Sequence, residues 1–263
     1  MEIESFEGEW HGIPFDGIPA VPDGAAAFYG AFYDRLLAGG ISLDPAWVRA
    51  RLNLAAWIET AVLRSRPGAG APGGTVLSLG AGLGTMERVW LEHGYRVSVQ
   101  ECQASSLGPF REAHPEAPVY IGDARHVDAP PGTFDVVVLS AIEHVYDRRG
   151  YEELLHETAR LLAPGGAAVM ITVANLSFGG IFRGLAKRAL IQARGDVRAH
   201  RVVRLGWKRT TREHLRPGLR AGLRPETLVT FDDEFRVTET LRPAAAGMLP
   251  LRPPKLAVIW SRV

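Results

Sequence analysis

The chain has 263 residues and a formal net charge of +1, from 30 Lys and Arg against 29 Asp and Glu. At 46% hydrophobic and 22% charged residues the composition is globular, which excludes a wholly disordered chain and allows one or two domains. A single cysteine, Cys102, excludes an intramolecular disulfide and a cysteine-built zinc site.

The start, MEIESFEGEW, is acidic where a secretory signal is basic and then apolar. No apolar run approaches the roughly 20 residues of a membrane span, so a soluble, cytoplasmic protein is expected. Residues 1–24 are rich in Gly and Pro without periodicity and read as an extended arm. Helical spacing of apolar residues runs through 25–38 and 46–64, with Asp44-Pro45 as a start signal for the second helix. Residues 1–66 thus form an arm and a helical cap, and PGAGAPGG at 67–74 is a linker. A different rhythm follows. TVLSLG (75–80), YRVSVQE (95–101), PVYIGD (118–123), FDVVVLS (134–140) and AAVMITVA (167–174) read as short apolar strands. Helices separate them at 86–93, before His114-Pro115 and at 151–162. This alternation predicts βαβ units and a parallel sheet covered on both faces. After residue 175 an Arg-rich stretch with helical spacing leads to the helix TTREHLRPGL. VTFDDEFRVTET and KLAVIWSR then read as two final strands.

The first of these strands runs into Gly80-Ala81-Gly82-Leu83-Gly84 and then a helix. Bare backbone and a helix N-terminus there suit close approach by a polar or anionic ligand. Glu101 ends the next strand, 21 residues beyond Gly80, where an acidic side chain accepts the hydroxyl hydrogens of a ribose. A dinucleotide fingerprint would place its third Gly at position 85, which is Thr85, and no Gly-Lys-Ser/Thr follows to make a Walker loop.

Taken in order, these glycines, Glu101, Gly122-Asp123-Ala124 and the turn Leu161-Leu162-Ala163-Pro164-Gly165-Gly166 resemble the core of a class I S-adenosylmethionine-dependent methyltransferase over residues 75–174. KLAVIWSR extends the resemblance as the antiparallel last strand. The resemblance implies an α/β fold of Rossmann-like type: a doubly wound, mostly parallel seven-stranded sheet, here spanning 67–263, with a lid inserted at 175–208. It implies S-adenosyl-L-methionine as cofactor. Gly80, Gly82 and Gly84 would pass under its methionine and sugar, Glu101 would hold the ribose, Asp123 and the Ala124 backbone would read the adenine, and Ser140 would lie near the sulfonium. Tyr29 and Tyr33 share one face of the first helix. Such a helix often closes over the cofactor in this family, and Tyr33 is counted with the cofactor site. One departure is plain: Ser78 stands where the family has Asp or Glu, so a hydroxyl replaces a charge.

Methyl transfer from a sulfonium is a direct displacement, in which positioning and desolvation carry much of the catalysis. Where a base is needed, His144 is the first candidate, because Ile142-Glu143-His144-Val145 follows the fourth strand at the carboxyl edge of the sheet. The alternative is that the Glu-His pair only braces its loop. His200 is a second candidate, facing the acceptor from the lid; His214 reads as surface. Glu143-His144 resembles part of the Glu-x-x-Glu-His metal site of two family branches, but Ser140 replaces the first Glu and leaves too few ligands, so no metal is expected.

The charge is unevenly spread. Residues 1–174 hold 12 basic and 22 acidic side chains, and residues 175–224 hold 13 and 2. The expected acceptor is a small molecule, anionic if this lid recognises it, methylated on O, N or C in specialised metabolism. Membrane-surface or RNA contact, and simple neutralisation of the acidic domain, are the competing readings of the basic block; no DNA partner is expected. A cofactor-binding protein that does not methylate is the alternative of another class. Because lysines are only Lys187, Lys208 and Lys255, the arginines also reflect codon bias, and any one Arg is weak evidence of function.

Overall fold

The structure is a computed structural model that describes residues 2–10, 13–15, 25–39, 44–65, 73–176, 178–199, 201–244 and 255–262. The N-terminal part holds β1 (Glu2–Glu7), β2 (Glu9–Trp10), β3 (Ile13–Pro14), α1 (Ala25–Ala38) and α2 (Pro45–Ala61). The central part alternates β4 (Thr75–Leu79), α3 (Thr85–Glu92), β5 (Arg96–Glu101), α4 (Gly108–Ala113), β6 (Val119–Ile121), β7 (Phe134–Ser140), α5 (Arg148–Leu161) and β8 (Leu162–Thr172). The last part comprises β9 (Asn175–Leu176), α6 (Phe178–Arg194), β10 (Val203–Thr210), α7 (Thr211–Arg220), β11 (Leu223–Phe231), β12 (Val237–Leu241) and β13 (Lys255–Arg262).

The main sheet runs β12-β11-β13-β8-β7-β4-β5-β6, with β8, β7, β4, β5 and β6 parallel and β13 antiparallel between β8 and β11. The alternation along each strand splits the core in two. Val76, Val97, Val136 and Val169 pack with Leu54, Ile58 and Trp90 on one face, and Leu77, Val137, Leu139 and Met170 pack with Tyr151, Leu155 and Trp260 on the other. Each such side chain removed from water stabilises the fold by about 1.5–3 kcal/mol. From β4 the chain winds one way through β5 and β6 and then the other way through β7 and β8, so the crevice at the carboxyl ends of β4 and β7 is where an open α/β sheet takes its ligand.

Two expectations need correction. The sheet has eight strands, because 229–240 does not run straight: Asp232 Oδ1 accepts from the backbone N–H of Glu234 and Arg236, both at 2.9 Å, and folds the segment into the β11–β12 hairpin. The N-terminal arm is not featureless either. Its first residues form β1, which pairs antiparallel with β10 from Glu2 opposite Arg209 to Glu7 opposite Val203, in a small sheet ordered β1-β10-β9. Nothing local announces this strand, since its partner lies some 200 residues away. The pairing also meets opposite charges: Glu4 bridges Arg188 at 2.9 Å and Arg204 at 3.1 Å, Glu7 faces Lys208 at 3.5 Å, and Glu2 meets Arg209 at 2.7 Å. The linker at 67–74 lies mostly outside the described residues.

The lid is fastened over the main sheet by a close backbone contact. Gly206 in β10 has φ +142°, and a Cβ there would lie 1.8 Å from the His144 carbonyl oxygen. Gly206→Ala is expected to lower stability by about 2 kcal/mol or more, from backbone strain plus that clash, read as a drop in the thermal unfolding midpoint.

Candidate active site

The glycine loop lies between β4 and α3. All three glycines have positive φ: +68° at Gly80, +61° at Gly82 and +70° at Gly84. Protein packing, not only a ligand, demands their bareness. A Cβ at Gly80 would lie 1.8 Å from Ile142, one at Gly84 2.4 Å from Phe110, and one at Gly82 2.9 Å from the Tyr33 hydroxyl. The backbone N–H groups of Gly80 and Ala81 donate to the Gln100 carbonyl, which anchors the loop to β5.

Glu101 sits at the end of β5, directly behind the loop. One carboxylate oxygen accepts from the Gly82 N–H at 2.8 Å, and the other from the Cys102 N–H at 2.8 Å. The Cys102 thiol also donates to the second of these oxygens, at 3.1 Å, so the capacity left for a hydroxyl donor lies at the oxygen bound to Gly82. Burial and the Glu101 charge push the Cys102 thiol up to about 12, which keeps it protonated and inert. Asp123 is more committed: Arg125 holds it in a close ion pair at 2.6 Å, and the Tyr146 hydroxyl donates to it at 3.1 Å. These partners hold its carboxyl below the usual range although burial opposes them. The Arg125 guanidinium in turn lies over the Tyr146 ring, 5.3 Å from its centroid, and Ala124 beside them is buried.

On the other side of the loop, α1 and α2 close over the ends of β4 and β7. Tyr29 and Tyr33 do share a face, with ring centroids 6.3 Å apart. The Tyr29 hydroxyl meets His144 Nε2 at 3.3 Å, so helix α1 reaches the loop after β7. Burial, aided by the Arg209 charge, pushes His144 down to about 4, and it is neutral at physiological pH. Its Nδ1 is buried with no hydrogen-bond partner. Burial likewise raises the Tyr29 and Tyr33 hydroxyls, which stay protonated. Ser140, expected near this spot, is buried and accepts from Arg51 Nη1 at 2.8 Å. Behind them Glu143 is fully buried, both carboxylate oxygens without a hydrogen-bond partner, and burial pushes it up to about 7.

The structure therefore gathers Gly80, Gly82, Gly84, Glu101, Ser140, Tyr33 and His144 around one crevice, with Asp123 and Ala124 at its β6 side. His200 lies outside the described residues. His214 is not at the surface: α7 turns it inward against the Tyr151 ring, only 1% exposed, and burial pushes it down to about 3. Helical spacing identified α7 but not which side of it faces the core. Arg51 at the crevice, and Glu87 buried beneath the glycine loop, escaped the sequence reading. Arg51 was one arginine among many, and Glu87 looked like an ordinary first-turn acid. The signal that could have found Glu87 is the uncharged Ser78, whose hydroxyl donates to Glu87 Oε1 at 2.5 Å. Among the described residues, no three His, Cys, Asp or Glu side chains converge as metal ligands.

Comparison with known proteins agrees with the fold. A family model described as a methyltransferase domain matches residues 76–166. No curated protein matches the chain. Among solved structures, an S-adenosylmethionine-dependent methyltransferase from Mesorhizobium loti is similar with a TM-score of 0.54 at 24% identity, over 79% of this chain and 98% of that one. Geranyl diphosphate C-methyltransferase from Streptomyces coelicolor, solved with Mg2+, geranyl-S-thiolodiphosphate and S-adenosyl-L-homocysteine, gives 0.53 at 16%, over 80% and 75%. A protein from Pyrococcus horikoshii gives 0.57 at 14%, over 82% and 91%.

The buried carboxyl at Glu143 has a consequence for stability. Its folded pKa lies above the unfolded value, so the carboxyl is best tolerated below the unfolded pKa, and stability is lost as pH rises through about 7. Glu143→Gln removes that loss. The variant is expected to gain on the order of 2 kcal/mol over the wild type at pH 8 and almost nothing at pH 4, measured by denaturant unfolding at both pH values.

Proposed function

We propose that the chain, whose residues 76–166 match a methyltransferase-domain model, is a class I S-adenosylmethionine-dependent methyltransferase that methylates a small-molecule acceptor seated between the glycine loop and the lid strand β10. The observation that carries this reading is the Tyr29–His144 hydrogen bond, which brings a neutral imidazole and a protonated phenol to the edge of the glycine loop. The residues present fit the cofactor. The loop admits close backbone approach, and Glu101 Oε2, which accepts from the Gly82 N–H alone, keeps a lone pair for a ribose hydroxyl. The Ala124 backbone, with Asp123 tied to Arg125, is the adenine side of our assignment.

When bound, the cofactor supplies a methyl group on a sulfonium, activated for direct displacement. The protein contributes position and dryness: Tyr29, Tyr33 and β10 wall the crevice and hold the acceptor in line. His144 Nε2 takes the proton that an alcohol or ammonium acceptor must lose, with the Tyr29 hydroxyl as its hydrogen-bond neighbour. A base held at about pKa 4 is unprotonated across the neutral range. Methylation is therefore expected to be level from pH 8 down to about 5 and to fall as pH approaches 4, where the imidazole gains a proton. The acceptor atom, O, N or C, follows from the acceptor, and we place the reaction in specialised metabolism, in line with the small isoprenoid diphosphate that the Streptomyces relative methylates.

His144→Ala is expected to lower kcat by about 10²- to 10⁴-fold and leave cofactor affinity within a few-fold of wild type. Glu101→Ala is expected to weaken cofactor binding at least tenfold in calorimetry, since it removes the ribose acceptor and frees the Gly82 N–H. Incubation with methyl-labelled cofactor and a metabolite extract identifies the acceptor. Cofactor binding without label transfer to any small molecule counts against the methylating reading.

A further inference from the structure

We propose that helix α6 is a membrane-surface element that lies along an anionic bilayer, its apolar stripe in the acyl boundary and its arginines among the headgroups. The proposal does not depend on which acceptor the crevice takes.

Helix α6 packs on the lid by one side only. Ile191 is buried on that side, and a Cβ at Gly184 would meet Ile3 of β1 at 3.4 Å. Arg188 reaches Glu4 of β1 at 2.9 Å, and Lys187 Nζ donates to the Phe6 carbonyl at 3.0 Å. Phe182, Leu185, Ala186, Ala189, Leu190 and Ala193 follow at i, i+3, i+4, i+7, i+8 and i+11, which places them together on the side away from β1. All six are exposed, Phe182 at 63%, Leu185 at 47% and Leu190 at 50%. Among the described residues, every other helix or strand exposes at most one large apolar side chain. A contiguous apolar stripe on a protein surface marks a contact with something apolar.

The charge of the helix identifies that contact. α6 carries Arg183, Lys187, Arg188 and Arg194 and no Asp or Glu. Lys187 and Arg188 are turned to β1, whereas Arg183 and Arg194 are exposed along the edge of the stripe. An apolar ridge rimmed by guanidinium groups suits the interface of an anionic bilayer, with the arginine stems along the apolar layer and their heads at the phosphates. A second copy of this chain would bring the same arginines against each other, and a nucleic acid would leave the leucines unused. The helix lies on the bilayer and does not span it: among the described residues, no helix is long and apolar enough to cross a membrane. α6 packs on β1, β1 pairs with β10, and β10 lies against the His144 carbonyl. The bilayer contact and the crevice are therefore two sides of one lid.

The test is co-sedimentation of the full chain with vesicles of phosphatidylcholine alone or mixed equally with phosphatidylglycerol. The wild type is expected to bind the anionic vesicles at least about tenfold more tightly, and to lose most of that preference in high salt. Arg183→Gln with Arg194→Gln is expected to weaken binding roughly 30-fold, a factor of about five for each cation. Leu185→Gln with Leu190→Gln is expected to weaken it by at least about tenfold, because the stripe then has little apolar area to bury. Both variants should keep the wild-type thermal unfolding midpoint, since the replaced side chains are exposed. Wild type that stays in the supernatant, or that binds both vesicle types alike, overturns the proposal. So does a leucine variant that binds as well as wild type. A wild-type dimer in solution that the leucine variant abolishes also overturns it, because the stripe then belongs to a second copy.

Discussion

The architecture of this protein turns on one buried guanidinium. Arg209, fully enclosed, donates to Glu2 of β1 at 2.7 Å, to the Glu143 carbonyl at 2.8 Å and to the Tyr146 carbonyl at 2.5 Å, and it lies 4.8 Å above the Tyr151 ring. Those partners belong to the N-terminal strand, the loop after β7 and helix α5. A charge taken out of water is tolerated only when its donors are matched, so each of the three segments must be in place before Arg209 can be buried. It therefore locks the lid strand to the loop that carries His144.

The same charge tunes what surrounds it. Burial is the main reason that His144 and His214 are neutral, and the Arg209 field adds to it in both cases. Glu143 is pulled the other way, since Arg209 favours its ionised form against a larger desolvation cost. A cation placed to hold a loop thus reinforces the effect of burial in keeping the His144 imidazole free of its proton. Arg209 thus adds to the electrostatics that burial sets at the candidate site while it holds the loop, which ties the fold of the lid to the chemistry proposed for the crevice.

Charge segregation along the chain also takes on a definite meaning. The excess of basic residues in 175–224 read as a surface for an anionic partner. In the folded chain Glu2, Glu4 and Glu7 lie against Lys187, Arg188, Arg204, Lys208 and Arg209, so part of the positive block is answered by the acidic start of the same chain. On the strand face of the lid the opposite charges serve mainly to hold β1 in register. The cation at the crevice is instead Arg51, from the cap.

What the sequence determined by itself was everything whose cause is local. The period-two strands, the helices between them, the glycine loop and Glu101 at the end of β5 follow from short-range pattern, and the parallel sheet follows from their alternation. Even the loop glycines were legible, although their positive φ serves protein packing as well as ligand access. Tertiary structure alone decided the pairing of β1 with β10, the inward side of His214, and the meeting of Arg51 with Ser140. Each depends on residues far apart in the chain or on which face of an element is covered, and neither quantity is encoded in a single segment. Arg209 shows the limit most clearly. In a chain that uses arginine almost everywhere, nothing in its neighbours sets it apart; burial does.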